Sequence, residues 1–490
     1  MSLLSLQNGS DIRGVAVEGV KGENVNLTNE VVTKIAYSFK NWLQKKTGSD
    51  SLTIAIGRDS RISGESLADA TIKGMKGKNI TIYDFGLAST PAMFMSTIDD
   101  EINADGAIML TASHLPYNRN GLKFFTKQGG AEKKDIKEIL ELANDIDNII
   151  EDEGQVIQKD FISKYADGLV NIIRKHTNEE EPFKNNKIIV DAGNGAGGFF
   201  AQKVLKPLGA QIEGSQFLEP DGYFPNHEPN PENNEAMESI QKTVIECNAQ
   251  LGIIFDTDVD RAAVVDSTGK AINRNALVAL MSAIVLEQYP NTTIVTDSVT
   301  SSGLKTFIDS LGGTHHRFKR GYKNVINEAI RLNSQGEQAH LAIETSGHCA
   351  LKENHFLDDG AYLVTKILIK FAQLRKEGKN ITDMISELNE PKDSKEIRAK
   401  INLKEFKDYG LKLLDDFAHH ANDINGWSLE TPNYEGVRVN CEGEKGWCLV
   451  RMSLHDPVIA INIESNIEDG CKKIESTLMN FLNKYEELVF

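Results

Sequence analysis

The chemistry of this chain concentrates in Thr111-Ala112-Ser113-His114-Leu115-Pro116-Tyr117-Asn118-Arg119-Asn120-Gly121-Leu122-Lys123, which follows the apolar run Ala107-Ile108-Met109-Leu110. A hydroxyl just past the carboxyl end of a strand lies where open α/β sheets place their ligands, so Ser113 is poised to react. His114, Arg119 and Lys123 supply positive charge, while Pro116 and Gly121 keep the backbone out of regular structure.

A second stretch, Asp256-Thr257-Asp258-Val259-Asp260-Arg261, follows another apolar run, Leu251 to Phe255. Its alternating carboxylates repel one another and need a counter-charge, whether the backbone stays extended or curls round one point. A divalent cation supplies it, and hard oxygen ligands suit Mg²⁺. The spacing is not that of a calcium-binding EF-hand, because Arg261 stands where that loop requires glycine and a strand precedes it.

The elements that must carry these loops recur three times. Ile54 and Ile108, Ile188 and Ile253, and Ile294 and Ala342 mark pairs of apolar strands, and the second strand of each pair runs into a charged loop. The third such loop is Glu344-Thr345-Ser346-Gly347-His348, with the basic stretch Arg317-Phe318-Lys319-Arg320-Gly321-Tyr322-Lys323 before it. This predicts an α/β protein of three similar mixed α/β domains plus a C-terminal α+β domain around a central cleft. The expected domains are 1–158, 159–274, 275–392 and 393–490, the first three supplying the serine, metal-binding and Glu344 loops and the last an anion clamp.

Helices are expected near 29–46, 66–76, 132–153 and 467–488, and 392–400 reads as a charged linker. The small-residue turn Asp191-Ala192-Gly193-Asn194-Gly195-Ala196-Gly197-Gly198 lacks the spacing of a dinucleotide fingerprint and reads as close helix-to-sheet packing. Arg451, Ser453 and His455 alternate after a strand near the C-terminus, as a clamp for an anion would.

Composition bounds the rest. At 490 residues, with 40% hydrophobic and 26% charged, the chain is long enough for about three or four globular domains. The formal net charge of −17 argues against nucleic acid or an anionic membrane as the partner, so an anionic substrate requires locally basic loops. No apolar run approaches the ~18 residues of a membrane helix, and the N-terminus lacks the basic start of a secretory signal. The five cysteines are scattered, as expected of reduced thiols in the cytoplasm.

Taken in order, Thr111-Ala112-Ser113-His114, Asp256 to Arg261, Glu344 to His348 and Arg451-Met452-Ser453 resemble the motifs of the α-D-phosphohexomutase family, one per domain. The resemblance implies that Ser113 carries a phosphoryl group and, with Asp256, Asp258 and Asp260, faces Mg²⁺. It implies interconversion of hexose 1-phosphate and hexose 6-phosphate, of glucose or mannose, through a hexose 1,6-bisphosphate that also serves as activator. Arg13, Arg58, Lys123, Arg261, Lys319 and Lys323 fall where the family keeps cations. Lys123 is the first candidate for general base and His348 the second. His114, Gly321, Glu344, Ser346, Arg451, Ser453 and His455 are the further residues expected to hold substrate. The implied partner is a small hexose phosphate, bound by a monomer or homodimer. Phosphoglucosamine mutase, a silent sugar-phosphate binder and a metal-dependent phosphatase are the rival readings.

Overall fold

The computed structural model describes every residue except Met1, Asn148, Ile150, Glu151, Asp152, Leu454 and His455. The chain divides into two compact units, one of residues Met1–Asn273 and Ser346–Ile381, the other of Arg274–Thr345 and Thr382–Phe490.

In the first unit, Leu52–Arg58 and Gly106–Leu110 are parallel neighbours at the centre of an eight-stranded sheet. Gly106–Leu110 is buried along its whole length, which is why it reads as a continuous apolar run rather than an alternating one. Helix Asn29–Thr47 covers one face of this sheet, starting where the Thr28 hydroxyl accepts from the Val31 amide and ending at Gly48 in a left-handed conformation. Its Phe39 and Leu43 join Ile54, Ile56, Ile108 and Phe124 in one core, each large side chain contributing roughly 1.5–3 kcal/mol by burial.

Gly106–Leu110 pairs antiparallel with Arg119–Thr126. The serine stretch is therefore the long connection of a hairpin, and Lys123 belongs to a strand rather than to the loop as its position after Gly121 had suggested. The second sheet repeats the device. Leu251–Phe255 runs parallel to Ile188–Asp191 and antiparallel to Ala262–Asp266, with the aspartate stretch between the two antiparallel strands. The glycines of the 193–198 turn serve the close approach expected of them, Gly197 against Phe255 of the sheet, where a Cβ would lie 3.1 Å away, and Gly195 against the aspartate loop. A Cβ at Gly195 would lie 2.7 Å from the Thr257 carbonyl oxygen, and the Ala196 amide donates to that same oxygen at 2.8 Å.

In the second unit, Thr293–Thr296 lies between Thr314–Arg317 and Ala339–Ile343, all parallel. The three apolar strand pairs marked by Ile54, Ile188 and Ile294 are thus all parallel neighbours. The C-terminal portion is a six-stranded antiparallel sheet with helices Phe406–Asn422 and Gly470–Leu482 packed into its core.

Two expectations need correction. Residues 392–400 are not a linker, because Asp393–Ile401 pairs with Val458–Ser465 along its length. Its charges face solvent from a sheet whose other face buries Ala399 and Ile401, so polarity marked one face of a strand and not a break in structure. The helix expected over 132–153 spans only Lys133–Asn144, and part of the remainder lies outside the described residues.

Candidate active site

Ser113 has φ of +51°, a left-handed conformation that is uncommon for a residue with a side chain. The Thr111 hydroxyl accepts from its amide at 2.8 Å, closing a tight turn that projects the Ser113 hydroxyl. Across from it Val259 has φ of +67°, a marked outlier for a β-branched residue, and this curls the aspartate loop round one point. Strain on both sides of a pair of chemically active loops is a frequent mark of a functional site.

The Ser113 hydroxyl donates to Asp256 Oδ2 at 3.0 Å and accepts from Arg261 Nη2 at 3.1 Å. Arg261 Nε is 3.2 Å from the same Asp256 oxygen, and its Nη1 donates to Asn230 Oδ1 at 3.1 Å. Lys123 Nζ lies 2.9 Å from Asp258 Oδ2 and also donates to Asp260. All these groups are buried.

Burial together with the neighbouring Asp260 and Asp258 pushes the Asp256 carboxyl well above the usual range. Burial alone would also raise Asp260, but Lys123, His348 and Arg261 more than reverse that and hold it ionised. His114 is pushed down to about 3, first by burial and then by the charges of Arg261 and Arg13. A neutral His114 can accept the hydrogen bond that Arg261 Nη2 makes to its Nδ1 at 2.7 Å. His348 pairs through Nδ1 with Asp358. Although burial opposes it, Asp358 and Asp260 raise His348 to about 9, so it is a cation at neutral pH.

Asp256, Asp258 and Asp260 each present an oxygen within 4.8 Å of the others. Asp258 Oδ1 and Asp260 Oδ1 are buried with no hydrogen-bond partner among the described residues. Orphaned, converging carboxylate oxygens in a hard-ligand set fit a divalent cation such as Mg²⁺.

Several contributors carry no motif. Thr90, at the start of helix Thr90–Ile98, donates its hydroxyl to Asp258 and its amide to the Asp258 carbonyl, the latter at 2.9 Å. Gly360 opens helix Gly360–Lys376 against the aspartate loop, its amide donating to the Val259 carbonyl at 3.1 Å. Asn230 and Thr90 lie far in sequence from Arg261 and Asp258, and Asp358 reaches His348 across a ten-residue hairpin, so periodicity gives no sign of them. The Asp358-Asp359-Gly360 run before a helix was the one visible hint.

The other expected residues are placed as follows. Arg13 pairs with Asp11 at 3.0 Å, close enough to Ser113's neighbour His114 to depress its titration. Arg58 pairs with Glu65 at 2.8 Å. Ser346 is buried, and Gly347 and His348 run beside the aspartate loop, where His348 bridges to Arg261. In the second unit the Gly321 amide donates to buried Glu344 at 2.6 Å. Lys319 lies 6.0 Å from the Phe318 ring centre, and Lys323 is the second residue of the helix Tyr322–Ser334. Arg451 lies 3.9 Å from Glu435, a residue that also accepts from the Arg320 amide at 3.1 Å and from the Ser298 hydroxyl. Ser453 accepts from the Asp456 amide at 3.3 Å. His455 lies outside the described residues.

Models described as phosphoglucomutase/phosphomannomutase α/β/α domains I, II and III match residues 5–150, 163–269 and 273–391. A protein of Thermococcus kodakarensis named phosphoglucomutase/phosphomannomutase is 30% identical over 461 residues, covering 93% of this chain and 95% of its own. A phosphomannomutase/phosphoglucomutase of Pseudomonas syringae is 28% identical over 480 residues, covering 97% of this chain and 94% of its own. A solved phosphoglucomutase/phosphomannomutase family protein of Burkholderia thailandensis superposes with a TM-score of 0.80 at 25% identity, covering 99% of both chains. No helix among the described residues is long and apolar enough to cross a membrane.

Proposed function

We propose, because this chain belongs to the phosphoglucomutase/phosphomannomutase family, that it interconverts the 1- and 6-phosphates of glucose or mannose through a phosphoserine at Ser113. The enzyme is a phosphohexomutase, an isomerase of hexose phosphates with three α/β/α domains and a fourth mixed-sheet domain. Glucose and mannose are favoured over glucosamine because the relatives described above carry the names phosphoglucomutase and phosphomannomutase.

One observation carries the reading. The Ser113 hydroxyl stands 3.0 Å from a carboxylate of the aspartate trio and 3.1 Å from a buried guanidinium. Phosphoryl transfer asks a protein chiefly for positioning and for positive charge opposite the moving oxygens. Arg261 supplies that charge beside the acceptor oxygen, and Asp256 fixes its direction. Asp256, Asp258 and Asp260, with Ser113, are the proposed Mg²⁺ ligands; when bound, the ion offsets charge on the phosphoryl oxygens. A hexose 1,6-bisphosphate is the proposed intermediate and activator.

Lys123, ion-paired in this structure with Asp258 and Asp260, is the proposed base for the sugar hydroxyl's proton, a role it takes only after leaving those carboxylates and losing its own proton. His348, kept protonated by Asp358 and Asp260, suits a donor to phosphate or sugar oxygens better than a base. In the second unit, Glu344, Gly321, Lys319, Lys323, Arg451, Ser453 and His455 are the proposed sugar and phosphate contacts, with Arg13, Arg58, His114 and Ser346 in the first. The enzyme is proposed to work in the cytoplasm as a monomer or homodimer, in keeping with five free thiols.

A coupled assay with glucose, mannose and glucosamine 1-phosphates, Mg²⁺ and a trace of hexose bisphosphate tests this. Turnover of glucose or mannose phosphate is the expected result. Isomerisation of glucosamine phosphate alone, or release of inorganic phosphate without isomerised sugar, overturns it.

A further inference from the structure

The loop that carries Ser113 turns four of its carbonyl groups inward. All four meet one side chain. Arg61 Nη1 donates to the Pro116 carbonyl at 2.7 Å and to that of Arg119 at 2.9 Å. Its Nη2 donates to the Leu115 carbonyl at 2.6 Å and to the carbonyl of Ser113 itself. Arg61 is 2% exposed and stands in a turn after strand Leu52–Arg58, more than fifty residues from the loop it grips.

The guanidinium is itself held. Asp59 Oδ2 lies 3.3 Å from its Nε, and Asp59 Oδ1 accepts from the Arg61 amide at 2.9 Å. On the other side the Phe224 ring centre is 5.2 Å from the guanidinium carbon, and Gly222 packs so tightly on this turn that a Cβ there would lie 2.3 Å from the Ile62 amide nitrogen. A planar fork of donors is suited to four converging carbonyl oxygens in a way that the point charge of lysine is not.

We propose that Arg61 is a positioning residue of the phosphoryl-transfer reaction, gathering the carbonyls of Ser113, Leu115, Pro116 and Arg119 so that the Ser113 hydroxyl is held against Asp256 and Arg261. This rests on the reading of Ser113 as the phosphoryl carrier. The guanidinium spends both terminal nitrogens on the Ser113 loop and forms an ion pair with Asp59, so its loss is felt first in the placement of the Ser113 hydroxyl. The left-handed backbone of Ser113 makes that placement sensitive, since nothing in its own conformational preference restores it.

The test compares Arg61→Lys, Arg61→Met and Ser113→Ala in the full-length enzyme, by steady-state kinetics per folded molecule, by Tm, and by intact-mass measurement of Ser113 phosphorylation after incubation with glucose 1,6-bisphosphate. Arg61→Lys is expected to lower kcat by roughly 10–100-fold, the scale of a displacement of about 1 Å. KM is expected to stay within about twofold, with Ser113 phosphorylation slowed in step with kcat. A kcat per folded molecule within about twofold of the parent, whatever the Tm, overturns the inference. If neither Arg61 variant folds, Asp59→Asn carries the test: a several-fold fall in kcat at unchanged KM supports the inference, and an unchanged kcat overturns it. Persistent turnover in Ser113→Ala means instead that the phosphoserine reading has failed. Loss of turnover there, with Arg61→Lys at full rate, means that only the role of Arg61 has.

Discussion

A single oxygen of Asp256 accepts both the Ser113 hydroxyl, at 3.0 Å, and Arg261 Nε, at 3.2 Å, although Ser113 lies 143 residues away in the chain. The carboxylate thus couples Ser113 to Arg261 and, in the proposed reading, the nucleophile to the metal. Asp256→Asn keeps the shape and removes the charge. It is expected to weaken Mn²⁺ binding, followed by electron paramagnetic resonance, by roughly tenfold or more, and to lower kcat at least as far. Undiminished Mn²⁺ affinity would remove Asp256 from the ligand set.

Ser113→Ala is expected to abolish isomerisation and, with it, any mass increment of one phosphate in the intact protein. The parent enzyme should carry that increment on part of its molecules. A phosphate that persists in the variant would place the modification on another residue.

Gly360→Ala probes the second support of the aspartate loop. A Cβ there would lie 2.7 Å from the Arg261 carbonyl carbon and 2.9 Å from both the Arg261 and Val259 carbonyl oxygens, all of them backbone. The loop must move to admit it, at a cost of about 1–3 kcal/mol. The expected readout is a lower Tm together with weaker Mn²⁺ binding. A fall in Tm alone would mean that the helix yields and the loop does not.

Glu464 supplies a pH dependence away from the proposed metal ligands. Burial pushes its carboxyl up to about 7, although Arg438 and the Trp447 indole N–H, which donates to it at 2.9 Å, act the other way. A folded-state value above the ordinary 4.5 means that this group's contribution is full below the ordinary value and is lost as pH rises through about 7. Glu464→Gln keeps an acceptor for the indole. Its Tm is expected to exceed that of the parent at about pH 8 and to match it at about pH 5. Equal Tm values at both would show that Glu464 titrates normally.

Much of the site was legible in the residues themselves. Ser113, the aspartate trio and the loops around them stand out because each is a short run of reactive groups directly after an apolar strand, and both signals are local in sequence. The parallel strand pairs were legible for the same reason: strands buried on both faces read as unbroken apolar runs. The strand Asp393–Ile401 was not, because one face of it is solvated and its charges resemble those of a linker.

By itself, then, the sequence determined which groups are available for chemistry and which strands deliver them, since composition and period act over neighbouring residues. Which groups meet was decided only by the tertiary structure. Arg61 under the Ser113 loop, Thr90 on Asp258 and Gly360 against Val259 are contacts between distant segments, and Asp358 meets His348 only because the strands Cys349–Leu351 and Leu357–Asp358 fold back on each other. Burial, which holds His114 neutral and raises Asp256, likewise depends on the packing of the whole unit around the two loops and leaves no mark on the residues that undergo it.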